Sequence, residues 1–184
     1  MPNDKVVLGF IGTGRQCFYH NIPGFVRNKQ TQTVAVCDVD SRRLGEAKKR
    51  VAEIYAKSAS LTKPAEIKAY TDYRELLERS DIDAVMISTP DHWHARQAVD
   101  AMKAGKHVAL EKPIIRTIAE GQTLVKTAAE TKRIFRVDSE FRSGKAAHRA
   151  AELVRSGRLG AIRNVLVCVP STDVPCPPQP DMPV

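Results

Sequence analysis

The stretch Val6-Val7-Leu8-Gly9-Phe10-Ile11-Gly12-Thr13-Gly14-Arg15-Gln16-Cys17 decides the fold. Its first six residues form an apolar run of the kind that fills a buried parallel strand, and a glycine turn ends it. Glycines between a strand and a helix let the backbone approach a pyrophosphate, and the helix start offers it unpaired N–H groups. Gly12 and Gly14 take the first two places of G-x-G-x-x-G. Cys17 takes the third, where a small residue serves helix–strand packing.

Outward from that turn, strand-like and helix-like segments alternate. Strands are read at Thr33–Asp38, Ala69–Tyr70, Ala84–Ser88, His107–Leu110 and Ile134–Val137. Helices are read at Gln16–Arg27, Ser41–Lys57, Tyr73–Arg79, His94–Ala104 and Thr117–Thr131, with a polar loop over Ser58–Glu66. Repeated βα units with short connections imply an α/β fold, a doubly wound parallel sheet of the Rossmann kind. The dinucleotide-binding domain is expected over residues 1–139. After about residue 140 the pattern changes to a helix, Lys145–Ser156, then a strand-like run, Ala161–Val169. Residues 170–184 hold six of the eleven prolines, which excludes a central strand or helix there. Residues 140–184 therefore read as the start of an incomplete α+β domain with a proline-rich tail.

Composition excludes several classes. At 184 residues, 42% hydrophobic and 27% charged, the chain is ordinary for a globular protein. No run reaches the roughly 18 apolar residues of a membrane span. Met1-Pro2-Asn3-Asp4-Lys5 leads directly into the first strand, so no signal peptide is visible and a cytoplasmic location is expected. Cys17, Cys37, Cys168 and Cys176 form no CxxC pair, which reads as reduced thiols. His92 and His94 share one turn without a third ligand, so no metal site is expected. A net charge of +8 invites nucleic acid as a partner, but the densest basic stretch, Arg42-Arg43 to Lys48-Lys49-Arg50, lacks interleaved aromatics. It reads as a solvated helix face, and no nucleic acid is expected.

Three motifs carry the chemistry. In an open parallel sheet, ligands bind outside the carboxyl ends of the strands. The glycine turn, Thr89-Pro90-Asp91-His92-Trp93-His94 and Glu111-Lys112-Pro113 all follow such ends, so they converge on one crevice. Asp38 ends the second strand 24 residues past Gly14, near where an acid binds the adenosine ribose hydroxyls and favours NAD over NADP. The alternative role for Asp38 is a helix cap, which Asp40 or Ser41 would fill equally well. Arg42 and Arg43 could clasp a 2′-phosphate and keep NADP open.

With both later motifs in place, the sequence resembles the glucose–fructose oxidoreductase / inositol dehydrogenase / rhizopine-catabolism family of NAD(P)-dependent oxidoreductases acting on sugars, cyclitols and related polyols. The resemblance extends into Glu152-Leu153-Val154-Arg155-Ser156-Gly157-Arg158-Leu159-Gly160. It implies that Lys112 is the catalytic lysine contacting the reacting hydroxyl, and that the Lys112–Pro113 bond is cis. It also implies that Gly12, Thr13, Gly14, Arg15, Gln16, Asp38, Thr89, Pro90, His94, Glu111 and Lys112 serve the cofactor. Pro90 would pack near the nicotinamide, while His94 serves the cofactor or the helix start. Trp93 is a candidate wall for a sugar ring or a core residue. Asp138 and Glu140 stand where relatives often carry glycine and glutamine, and become substrate-side candidates. The family's remaining acid–base groups would lie beyond Val184, and a full-length form would be a homo-oligomer. Two other readings stay open: a non-catalytic dinucleotide-binding module, and a relative of the NAD-dependent glycosidases.

Overall fold

Six of the apolar runs become neighbouring strands of one sheet. The computed structural model describes residues 5–168, which fall into a first unit ending at Asp138 and a second beginning at Ser139. In the first, β1 (Val6–Ile11), β2 (Thr31–Cys37), β3 (Lys68–Tyr70), β4 (Ala84–Ile87), β5 (His107–Glu111) and β6 (Phe135–Asp138) alternate with helices. These are α1 (Ile22–Val26), α2 (Ser41–Ala56), α3 (Tyr73–Leu77), α4 (Asp91–Lys103) and α5 (Ile118–Thr131). The strand order is β3-β2-β1-β4-β5-β6, and every pairing is parallel. Chain direction across the sheet reverses between β1 and β4. That switch point opens a crevice at the carboxyl ends.

The two-residue period of the strands builds two cores. Val7 and Ile11 of β1, Val85 and Ile87 of β4, and Val108 and Leu110 of β5 share one core with Tyr73, Leu76, Ala98, Met102 and Leu124. On the other face Phe10 and Met86 pack with Ile22, Val26, Leu44, Ala47 and Val51. Fully burying one such aliphatic side chain stabilises by about 1.5–3 kcal/mol, so both faces contribute. Helix ends are specified locally. Asp40, not Asp38, caps α2, its carboxylate accepting from the Arg42 and Arg43 N–H groups. Those two donors, Arg43's first, hold its carboxyl below the usual range. Thr117 and Glu120 form a reciprocal capping box at α5.

Three details depart from the sequence reading. The helix expected over Gln16–Arg27 contains a π turn, Cys17–Asn21, before α1. α4 begins at Asp91, so His94 lies inside the helix rather than opening it. The strand expected at Ala161–Val169 is not formed: residues 161–168 carry no strand, and Val165, Leu166 and Val167 are exposed. A strand exists by its ladder hydrogen bonds, and no described neighbour pairs with this run. Val169 and the proline-rich tail lie outside the described residues. The second unit otherwise holds a 3-10 turn, Glu140–Ser143, and α6 (Lys145–Arg155), which buries no side chain. No described helix is long and apolar enough to cross a membrane.

Candidate functional site

A cleft of about 620 Å³ opens at the carboxyl ends of β1, β2 and β4. Its floor is the glycine turn. Gly12 has φ +81°, and a Cβ there would lie 2.6 Å from the Thr89 nitrogen, so only glycine lets the turn press against the end of β4. Gly14 lines the cleft, and nothing lies within 4 Å of where its Cβ would stand. That leaves backbone bare toward the open space, the shape a pyrophosphate needs. The helical turn starts here, with Phe18 N–H donating to the Gly14 carbonyl at 2.9 Å.

Asp38 stands at one end of this floor and lines the cleft. Its Oδ2 accepts from the Thr13 N–H at 2.6 Å and the Thr13 hydroxyl at 3.0 Å, and its Oδ1 from the Asp40 N–H at 3.0 Å. The carboxylate is thus fixed by three donors in a residue that lines the cleft. Arg43 also lines the cleft, its Nε 3.4 Å from Asp40, whereas Arg42 turns to Glu46 at 3.5 Å. Cys17 is fully buried, and burial pushes its thiol up to about 12. It serves packing beneath the turn.

At the other end, the Thr89 hydroxyl donates to Gln97 Oε1 at 2.7 Å, and Pro90 leads into α4 on the cleft wall. His94 is buried behind that wall. Its ring lies between two carbonyl oxygens, Nε2 at 2.8 Å from Thr89 and Nδ1 at 2.6 Å from Pro113, tying the two motifs together. Glu111 is buried at the end of β5; its Oε1 accepts from Asn21 Nδ2 at 3.1 Å and its Oε2 from the Lys112 N–H at 3.2 Å. Lys112 itself is exposed, and the Lys112–Pro113 bond is cis.

Of the candidate residues, Gly12, Gly14, Asp38, Thr89, Pro90 and Trp93 line the cleft. Thr13, His94 and Glu111 are buried supports. Arg15 and Gln16 begin the helical turn and do not line the cleft. Trp93 meets Tyr73 edge-on, ring centroids 6.5 Å apart, on the wall shared with Thr71, Asp72 and Arg74. Asp138 closes β6 in register with Glu111, and Arg136 lies 3.5 Å from its carboxylate. Glu140 belongs to the second unit, on its 3-10 turn. Sequence reasoning missed the Thr71–Arg74 wall, since a short turn and helix start after a three-residue strand carry no motif. It also missed Asn21, whose signal was a polar residue inside an apolar helical run, and Ser88, a polar residue just past an apolar strand. Among the described residues, no group of three or more His, Cys, Asp or Glu is placed to hold a metal.

Residues 6–139 match the oxidoreductase family with an NAD-binding Rossmann fold. A glycosyl hydrolase family 109 protein of Shewanella sp. (strain ANA-3) is 34% identical over 163 residues, covering 86% of this chain and 34% of the relative. The chain thus spans about a third of that relative's length. Among solved structures, scyllo-inositol dehydrogenase from Lactobacillus casei, with bound NAD(H) and scyllo-inositol, superposes with TM-score 0.70 and 25% identity, over 85% of this chain and 42% of the other. A 3-ketoreductase from Actinomadura kijaniata, bound to NADP, gives TM-score 0.71 and 26% identity, over 86% and 46%. With the parallel sheet, the glycine turn and the family match over most of its length, the chain belongs to the oxidoreductase family with an NAD-binding Rossmann fold, the group of glucose–fructose oxidoreductase and inositol dehydrogenase.

Proposed function

We propose that this chain binds NAD and belongs to an enzyme transferring hydride between that cofactor and a sugar, cyclitol or related polyol. The observation that carries the reading is Asp38, its carboxylate held by Thr13 and Asp40, lining the cleft beside bare glycine backbone. A fixed carboxylate accepts from ribose hydroxyls and repels a 2′-phosphate, which selects NAD over NADP. When bound, the nicotinamide supplies the hydride acceptor. Gly12 and Gly14 let the backbone approach the pyrophosphate, Pro90 walls the far end, and the Lys112 ammonium, exposed just past β5, donates to the oxygen of the reacting hydroxyl. Titration calorimetry of the chain with NADH and NADPH tests the reading. Tighter NADH binding supports it, and tighter NADPH binding transfers the ribose end to Arg43.

A second reading rests on the 34% identity to a glycosyl hydrolase family 109 protein. It places the same NAD site in a glycosidase. Nitrophenolate release from an aryl glycoside would favour it, whereas net reduction of NAD by inositols or sugars would favour the dehydrogenase. Two proposals concern the wider assembly: residues 140–184 begin a substrate domain, and the larger form is a homo-oligomer.

A further inference from the structure

The π turn Cys17–Asn21 adds one residue to the helical path after the glycine turn, and π turns recur at functional sites. Its last residue is Asn21, a polar side chain buried in a helical segment that otherwise packs into the core. The amide of Asn21 spans two strand ends at once. One Nδ2 hydrogen goes to Ser88 Oγ at 2.9 Å, just past β4, and the other to Glu111 Oε1 at 3.1 Å, at the end of β5. Glu111 is 6% exposed, and its second oxygen accepts the N–H of Lys112. Neutral donors thus hold a buried carboxylate, and no described ion pair includes it. A buried carboxylate is stable only while donors satisfy it. The adenosine half of a dinucleotide lies over β1 and β2, where Asp38 stands, so β4 and β5 carry the nicotinamide half.

We propose that Asn21 is a positioning residue for the nicotinamide end of the site: through Glu111 it fixes the backbone at Lys112, and through Ser88 it fixes the end of β4. The inference rests on the dinucleotide reading above. It assigns to the first helix a task beyond opening the pyrophosphate turn. Asn21 acts through the carboxylate, so reversing the polarity of the pair preserves the link. The carboxylate introduced by Asn21→Asp accepts from the amide introduced by Glu111→Gln, whose oxygen still receives the Lys112 N–H.

The test compares NADH with ADP-ribose, which lacks the nicotinamide, by titration calorimetry of the full chain. Asn21→Leu should weaken NADH about tenfold while leaving ADP-ribose within about twofold, since the hydrogen bonds it removes hold only the strand ends that carry the nicotinamide half. Glu111→Gln alone should shift the same ratio, and the pair Asn21→Asp with Glu111→Gln should restore it. If Asn21→Leu does not fold, the single and double variants at Glu111 carry the test alone. An unchanged NADH to ADP-ribose ratio in the single variants, or a double variant that fails to restore it, overturns the role of Asn21. Failure of the unaltered chain to bind either ligand overturns the dinucleotide reading and this inference with it.

Discussion

At the scale of the residue, Asp38 does two tasks, bracing the glycine turn through Thr13 and lining the cleft. Asp38→Ala should therefore cost NADH about tenfold, at about 1.4 kcal/mol, and cost NADPH less, measured by paired calorimetric titrations. Gly12→Ala forces a side chain into a positive-φ turn against Thr89. It should destabilise by about 1–3 kcal/mol and remove dinucleotide binding, read by denaturant unfolding and titration. The cysteines give a prediction with a sign. Cys17 and Cys37 are pushed from 9.0 to about 12, mainly by burial. The folded thiols therefore keep protons that the unfolded chain releases above 9.0, and stability falls as pH rises from there toward about 12. Below 9.0 neither thiol should react with an alkylating reagent, while exposed Cys168 should; peptide mapping after labelling checks both. The glycine turn and Asp38 were legible in the sequence because their spacing follows from a strand, a turn and a helix. Asn21 was not, because its partners stand 67 and 90 residues away in the chain.

At the scale of the element, strands and helices of the sheet followed from periodicity, since each apolar run had a neighbour to pair with and a helix to cover it. β6 formed beside β5 for that reason. Ala161–Val169 has equally strong strand composition, yet residues 161–168 remain unpaired, because propensity describes fit to a sheet and supplies no partner. Three adjacent apolar residues, Val165, Leu166 and Val167, are left in solvent. The chain should associate with rising concentration, and Val165→Lys with Val167→Lys should reduce that association in light scattering. The π turn was equally illegible, for a single added residue leaves the apolar pattern of the helix almost unchanged. Helix caps read better. Thr117→Ala removes one half of the capping box at α5 and should cost about 1 kcal/mol, a fall in Tm of roughly 2–4 °C.

At the scale of the whole molecule, the switch in strand order between β1 and β4 gathers the site. It brings the glycine turn, Asp38 and the Thr89-Pro90 motif to one cleft, with Glu111 and His94 buried as its supports. The fold class followed from the order of the βα units, which admits few topologies. The Thr71–Arg74 wall became visible only once β3 was seen beside β2, which brings the residues after β3 to the cleft. That wall includes Trp93, the single tryptophan of the chain, partly exposed and packed edge-on against Tyr73. Its emission therefore reports the cleft alone. Titrating NADH into the chain while recording tryptophan emission tests the central claim most directly. Saturable quenching, with energy transfer into the reduced nicotinamide and reversal by excess NAD, is the predicted result. Emission that stays constant across the titration would contradict the placement of a dinucleotide in this cleft.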